Sequence, residues 1–451
     1  MKIHLVNNCR GAHARPFQLF MNLFQHQKNL IARNPAKHLL AWACGTGKTA
    51  AAICLAENNA NSILVVCPKS VVLKWKQEIK TWRIKYNQDW TGGSPCVFKV
   101  LSKETFRRDA GDLPKYEAVI FDEMHNFSGL TSQMHQAAYN YIQKHDVKYI
   151  YGLTATPFLS TPWNIYALAR LLGRKLNYAK FKEKYFTTVK MGHRMIPVAK
   201  TYINGIPVKD EVAKMVNALG NTIKMSDCID LPESVYQEEY FGLTANQKKA
   251  VKEINKSETI AITKWGKVHQ ICGGCLKQES GKPIYYKSEK LPRLLEIINE
   301  HKKIAVICRY VAEIEMITKS IEKINKKYLV LNGATKNRED VIKQANEAND
   351  MIILLTCATS EGFELPTFSF VVFYSYDFSL KNYIQICGRF RRINAPQKVV
   401  YLSLIVQKTV DEDVYENVVI RKCDFQVAIY NGKKMDMPRE SDHKHPGTVK
   451  W

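Results

Sequence analysis

No run of about 18 apolar residues occurs in this chain, and its first eight residues, Met1-Lys2-Ile3-His4-Leu5-Val6-Asn7-Asn8, lack the apolar core of a secretion signal. A membrane span and an exported scaffold are therefore set aside, and the expectation is a soluble, intracellular protein of the cytoplasm. Paired cysteine motifs are equally scarce. Twelve cysteines are scattered along the chain, and Cys67, Cys308 and Cys357 sit inside apolar runs, which suits reduced core thiols better than disulfides. Cys272-Gly-Gly-Cys275 has half the spacing of a zinc knuckle, but no second CxxC or HxxxH stands nearby to complete four ligands, so a plain glycine turn fits as well. Acidic residues are few. Lysine and arginine number 66 against 42, a formal charge of +24, for which a polyanionic partner is the simplest reading, although a ribosomal contact or an anionic membrane would suit the charge alone.

What is present points to two similar units. At 451 residues and 46% hydrophobic content the chain exceeds one core, and two or three domains are expected. Short β-prone runs alternate with helical patterns from Ser62 to Pro157 and again from Lys303 to Ile405, the signature of βαβ units. Ile63–Cys67, Ala118–Phe121 and Tyr149–Leu153 in the first block, and Ile304–Cys308, Met351–Leu355 and Phe370–Phe373 in the second, are continuous apolar runs, as parallel strands buried on both faces require. The expected fold class is α/β: two parallel-sheet domains in tandem, residues 1–160 and 286–425, with a helical and hairpin insertion at 161–285 and a polar tail at 426–451. Within the insertion, Asn204-Gly205 between apolar neighbours is a hairpin signal, placing a hairpin within 187–208. Lys190, Arg194 and Lys200 interleave there with Met191, Met195, Ile196 and Val198, a mixture suited to a duplex junction and equally to a solvated surface hairpin.

Ala43-Cys44-Gly45-Thr46-Gly47-Lys48-Thr49 follows an apolar run and precedes a small-residue helical segment, which is the context of a phosphate loop. Its glycines let backbone N–H groups wrap phosphates at a helix N-terminus, Lys48 reaches the β and γ oxygens, and the Thr49 hydroxyl ligates Mg²⁺. The complete pattern has a glycine where Trp42 stands. Some seventy residues later Asp122 and Glu123 close an apolar strand, placed to hold Mg²⁺ and to polarise the attacking water, with His125 as a link onward or a polar cap.

In order along the chain, these motifs resemble those of superfamily 2 helicases, and in particular the Swi/Snf-like branch, over about residues 15–425. Leu64–Ser70 is similar to motif Ia, Asp122-Glu123-Met124-His125 to the DExH box, and Leu153–Pro157 to motif III. Leu231-Pro232, Gly242–Gln247 and Lys287–Leu291 resemble the branch's connecting segments, and Leu331–Thr335, Thr356–Leu365 and Gln385–Arg392 resemble motifs IVa, V and VI. Members of this superfamily often lack the first glycine. The resemblance implies two RecA-like domains with the active site between them, so that Arg389 and Arg392 reach the γ-phosphate and Gln385 positions water or the arginines. It further implies nucleotide contacts at Gln27 and Gly362, beside Gly45, Thr46 and Gly47. DNA phosphates would meet Lys69, Ser70 and Ser102 in the first domain and Arg309, Gly333, Thr335 and Thr356 in the second. ATP and Mg²⁺ are the implied cofactors and DNA the implied partner. The compact chain with a candidate wedge looks like phage and bacterial branch-processing helicases of the UvsW and RecG type, acting in replication, recombination and repair. A duplex translocase that separates no strands, and a binding scaffold that hydrolyses nothing, are the rival expectations.

Overall fold

The computed structural model describes residues 23–86, 96–158, 161–191, 194–228, 232–257, 259–278, 281–359, 363–391 and 398–420. The first sheet is built from β1 (Lys37–Trp42), β2 (Ser62–Cys67), β3 (Val97–Ser102), β4 (Ala118–Phe121), β5 (Tyr149–Leu153) and β6 (Gly220–Ile223). All its pairings are parallel, in the order β6-β1-β5-β4-β2-β3. The second sheet contains β7 (Val235–Phe241), β8 (Lys303–Cys308), β9 (Tyr328–Leu331), β10 (Met351–Thr356), β11 (Phe370–Phe373) and β12 (Val400–Val406), again all parallel, in the order β7-β12-β11-β8-β10-β9. The two-sheet α/β architecture expected from the apolar runs is present.

Both faces of each sheet are buried, which is why the strands read as unbroken apolar runs. In β1, Leu39 and Ala41 join the core on one face while Leu40 and Trp42 join the core on the other. β8 divides in the same way, Ala305 and Ile307 against Ile304, Val306 and Cys308. The helices that cover these faces start at recognisable caps: Ser102 accepts from Thr105 N, Ser132 from His135 N, and Thr244 from Gln247 N in a reciprocal capping box.

The stretch between the two blocks is shared out between them. β6 lies beside β1 at the sheet edge, so close that a Cβ on Gly220 would stand 1.8 Å from Leu39 O, and Asn221 Oδ1 accepts from Trp42 Nε1 at 3.0 Å while His38 Nε2 lies 2.7 Å away. β7 pairs along its whole length with β12 of the second sheet. What stands apart is a pair of hairpins. Phe186–Met191 pairs antiparallel with Arg194–Ala199, and Tyr202–Ile203 with Ile206–Pro207. In the smaller one Asn204 and Gly205 both have positive φ (50° and 75°), as its two-residue turn demands. The larger hairpin is rooted in the first unit: Phe186 stacks on Trp163 at 4.5 Å, Trp163 on Tyr178 at 5.0 Å, and Phe186 and Ile203 belong to the first sheet's core. The tail at 426–451 lies outside the described residues.

Candidate nucleotide site and strand-end track

Where β1 ends, the chain turns through Gly45 (φ 82°) and Gly47 (φ 78°) into the helix Lys48–Asn59. Both glycines occupy the left-handed region, which a Cβ penalises, and a Cβ on Gly47 would also stand 2.3 Å from Gln27 Nε2. With glycine as its N-cap, the helix receives no side-chain cap, so its first amides offer the electropositive end that anions favour. The buried Thr46 hydroxyl donates to Ala43 O at 2.8 Å, and Lys48 Nζ donates to Trp42 O and Ala43 O at 2.8 and 2.9 Å. Thr49 follows on the first helical turn, half-buried.

Gln27 latches this loop to the preceding helix, Gln25–Arg33. Its Nε2 donates to Gly47 O at 2.8 Å and its Oε1 accepts from Phe24 N at 2.7 Å, with the side chain buried. The next residue back, His26, carried no sequence signal beyond this neighbour. Its Nε2 lies 2.9 Å from Thr46 O, which can only accept, so the contact needs the proton on Nε2. The ring stands edge-on to Trp42 at 4.7 Å and stacks on Phe24 at 5.5 Å, and burial lowers its pKa below the ordinary histidine value.

Asp122 and Glu123 emerge at the carboxyl end of β4. Asp122 Oδ2 accepts from Trp75 Nε1 at 2.7 Å, and its backbone N donates to Val66 O at 2.9 Å, tying the turn to β2. Glu123 adopts a left-handed backbone (φ 47°), a strained conformation that costs a non-glycine residue about 1–3 kcal/mol and clusters at functional sites. Its Oε1 accepts from Gln385 Nε2 at 3.0 Å, and its Oε2 lies 3.2 Å from His125 Nδ1. His125 Nδ1 is in turn 3.0 Å from Thr154 Oγ1 and 3.3 Å from Thr156 Oγ1. Burial first, then the charges of Lys381 and Lys103, hold this histidine well below its usual pKa and keep it neutral. One polar chain thus runs from the second unit through the carboxylate to the strand end after β5.

Gln385 is brought there by the helix Leu380–Phe390, which abuts the phosphate loop: a Cβ on Gly388 would stand 3.0 Å from Cys44 Cβ. Arg389 follows on the same helix, its guanidinium carbon 5.8 Å from the Phe363 ring. Lys74 Nζ and Glu364 Oε1 add an exposed bridge across the same cleft at 3.3 Å. Gly362 and Arg392 lie outside the described residues.

The residues expected along DNA all follow the carboxyl ends of parallel strands, the edge at which open α/β sheets bind ligands. Lys69 and Ser70 form the exposed turn after β2, and Ser102 ends β3 and caps the next helix. In the second unit Arg309 follows β8, Gly333 and Thr335 follow β9, and Thr356 ends β10. Arg309 pairs with Asp377, and its guanidinium carbon lies 4.1 Å from the Phe378 ring centre. Gly333 is exposed, Thr335 Oγ1 donates to Val330 O at 3.3 Å, and Thr356 is buried beside Thr359. Lys190 is exposed near the end of the larger hairpin, Arg194 begins its return strand, and Lys200 sits at its base, donating to Glu183 O at 2.8 Å.

Cys272 and Cys275 are both buried, and among the described residues no group of three His, Cys, Asp or Glu side chains is placed to hold a metal. Burial pushes the Cys272 thiol up to about 12 and raises Cys275 as well. No helix among the described residues is long and apolar enough to cross a membrane.

Residues 15–159 match the type III restriction enzyme res subunit family and residues 286–394 the helicase conserved C-terminal domain. A Caenorhabditis elegans homolog of the SWI/SNF-related matrix-associated actin-dependent regulator of chromatin subfamily A-like protein 1 is 24% identical over 96% of this chain and 66% of its own length. The mouse chromodomain-helicase-DNA-binding protein 1-like is 22% identical over 90% of this chain and 48% of its own. The chain therefore spans between about half and two thirds of these relatives. A solved Sulfolobus solfataricus SWI2/SNF2 ATPase core in complex with dsDNA aligns over 93% of this chain and 95% of its own, at 21% identity and a TM-score of 0.41. With one family match on each sheet, and relatives aligning along nearly the whole chain, this protein belongs to the superfamily 2 helicases and translocases, among their Swi/Snf-like members.

Proposed function

We propose that the chain is a DNA-stimulated ATPase that steps along DNA and separates the strands of forks and branched junctions. The observation that carries this reading is the hydrogen bond from Gln385 to Glu123, 3.0 Å across the cleft, which joins the second unit to the carboxylate of the first. A site completed by both units works only when the cleft closes, and such closure couples hydrolysis to a change of grip.

The residues fit ATP and Mg²⁺: two left-handed glycines, an uncapped helix start, a lysine and a threonine on its first turn, and an aspartate at the neighbouring strand end. Gly45, Thr46, Gly47 and Lys48 would hold the phosphates, and Thr49 with Asp122 the metal, which supplies charge neutralisation when bound. Glu123 orients water, and its contact with Gln385 sets where that carboxylate points. Arg389 and Arg392 supply positive charge from the second unit. In this reading Gln27 acts through the loop carbonyl it holds. Lys69, Ser70, Ser102, Arg309, Gly333, Thr335 and Thr356 would contact strand phosphates, which set register and carry no sequence information. The name of the mouse relative, a helicase-DNA-binding protein, agrees with DNA as the track.

Strand separation needs a wedge, and the hairpin Phe186–Ala199 supplies a candidate, rooted in aromatic packing and carrying exposed Val189, Lys190 and Met195. Its test is unwinding of a synthetic fork with ATP, beside ATPase rates with fork, duplex and single-stranded DNA, with Lys48→Ala as blank. Unwinding that is lost when residues 188–197 are replaced by a short turn, with DNA-stimulated hydrolysis retained, supports the wedge. Stimulated hydrolysis without unwinding in the intact chain makes it a duplex translocase, and no stimulation by any DNA contradicts the motor reading itself.

A further inference from the structure

The helices Ala245–Lys256 and Ala261–Cys272 pack on the second unit through Val251, Ile254, Val268 and Cys272 against Val406 and Val410. From Ala245 to Cys272 the sequence has six lysines and two glutamates, Glu253 and Glu258, and the second helix has no acidic residue at all. At the head of that basic helix, apolar side chains face solvent: Ile260, Ile262 and Trp265 are 69%, 77% and 49% exposed. Leaving a tryptophan half in water forgoes burial that its large apolar surface would otherwise gain.

The position of this patch relates it to the strand-end track. One turn beyond Trp265, His269 Nδ1 lies 3.1 Å from Tyr310 Oη, and the ring also packs on Phe378 at 5.4 Å. Tyr310 Oη lies 3.4 Å from Gly266 O. The Tyr310 and Phe378 rings both pack against Arg309, 5.3 and 4.1 Å from its guanidinium carbon. Val311, next along, is 50% exposed. The helix is also held firmly: His269 Nε2 lies 3.2 Å from Asp411 Oδ1, and the buried Lys290 Nζ donates to Asp411 Oδ2 at 2.6 Å. A fixed aromatic with lysines on its own helix, beside an arginine at a strand end, matches a polyanion that also presents flat apolar faces. Single-stranded DNA has both properties, since a basic groove follows its backbone and aromatic side chains stack on its bases.

We propose that Trp265 is a stacking platform for an unpaired base of the DNA strand whose phosphates pass Arg309. The proposal rests on the reading of the strand ends as a DNA track, and it adds a base contact to what were phosphate contacts only.

The test is the affinity of the full chain for fluorescent oligodeoxythymidine. Trp265→Ala should weaken it by on the order of tenfold, since base–aromatic stacking is worth about 1–3 kcal/mol by alanine substitution, whereas Trp265→Phe should retain most of it. The salt dependence of binding should be unchanged in Trp265→Ala, because no phosphate contact is lost, and reduced in Arg309→Ala. Moving one abasic site along the strand should cost the wild-type chain affinity at one position, and that position should be silent in Trp265→Ala. The abasic scan on the wild-type chain decides the matter even where the alanine variant fails to fold. Equal binding by wild type and Trp265→Ala, a phenylalanine variant as weak as alanine, or a loss indifferent to every base overturns the proposal and leaves the patch to a protein partner. The strand-separation reading fails separately: position-specific stacking with forks left paired refutes unwinding while Trp265 keeps its role.

Discussion

The two sheets bury their polar groups in opposite ways. The first keeps histidines uncharged: His38 is lowered to about 4 by burial, against a hydrogen bond to Asn221, and His125 and His135 are lowered by burial too. The second buries an ion pair, Lys290 with Asp411. Lys290, His269, Glu313 and Asp411 are all buried; burial pushes the Asp411 carboxyl up, but Lys290 and His269 pull it down further, to about 2. Glu313 receives Ser375 Oγ at 2.5 Å and Tyr310 N at 3.1 Å, and burial raises its pKa. Of the neutral set in the first unit, His125 lies against the Glu123 carboxylate, where a fixed positive charge would compete with a metal. The Lys290–Asp411 pair joins the helices Lys290–Glu300 and Val410–Val414, and Asp411 also meets His269 of the helix Ala261–Cys272. Buried polarity is thus held neutral beside the carboxylates of one unit and ion-paired in the other.

The largest effect expected from this contrast is Lys290→Met. Removing one partner of a buried ion pair leaves Asp411 with only His269 and the Val406 backbone N–H, and costs about 3–5 kcal/mol. Denaturant unfolding followed by hydrogen exchange should locate that loss in the second sheet; a loss of less than 1 kcal/mol would mean that the cluster is not an ionised pair.

Acid should separate the units next. A histidine whose folded pKa is depressed leaves the unfolded chain binding more protons between the two pKa values, so stability is complete above about 6.5 and falls as pH drops toward the folded value. For His38 the window runs from 6.5 to about 4, a shift that integrates to roughly 3 kcal/mol. Asp411 is shifted in the same direction, but its window lies lower: its stabilisation persists above 3.8 and fades only as pH falls through about 2. Raised Glu313 favours the second unit further on acidification, since there the folded state binds the extra proton. Hydrogen exchange at pH 7 and pH 4.5 should therefore show the first sheet losing protection before the second, and simultaneous loss would break the comparison.

Gln385→Ala removes a hydrogen bond to a carboxylate, an interaction worth about 1.5–3 kcal/mol. If Gln385 sets the Glu123 geometry, kcat for ATP should fall roughly tenfold to a hundredfold with KM nearly unchanged. A change confined to KM would move Gln385 into binding. The smallest effect is Gly220→Ala, where a Cβ would meet the Leu39 carbonyl and overpacking costs about 1–3 kcal/mol. Thermal melting should show it, with the second sheet's protection unchanged.

Much of this architecture was legible because parallel strands buried on both faces need continuous apolar runs, and Ile63–Cys67, Tyr149–Leu153 and Met351–Leu355 are such runs. β6 and β7 lie at sheet edges, and their sequences, Gly-Asn-Thr-Ile and Val-Tyr-Gln-Glu-Glu-Tyr-Phe, keep polar residues where one side meets solvent. Those two strands therefore read as part of a separate insertion. Asn204-Gly205 marked the smaller hairpin, whereas the larger one, closed at Met191 and Arg194, has no such turn signal in its described residues. At the site, short motifs identified the phosphate loop and the carboxylates because their chemistry is local. His26 and the Gln27 latch were not legible, since both depend on a helix meeting a loop twenty residues away, and the Gln385–Glu123 contact spans 262 residues.

The most direct test of the account is steady-state phosphate release from ATP, with and without forked DNA, for the wild-type chain and Glu123→Gln. Release stimulated by DNA in the wild type and abolished in Glu123→Gln, with nucleotide binding retained, is the predicted result. Release that is indifferent to DNA, or that survives Glu123→Gln, would contradict a DNA-coupled motor whose carboxylate works across the cleft.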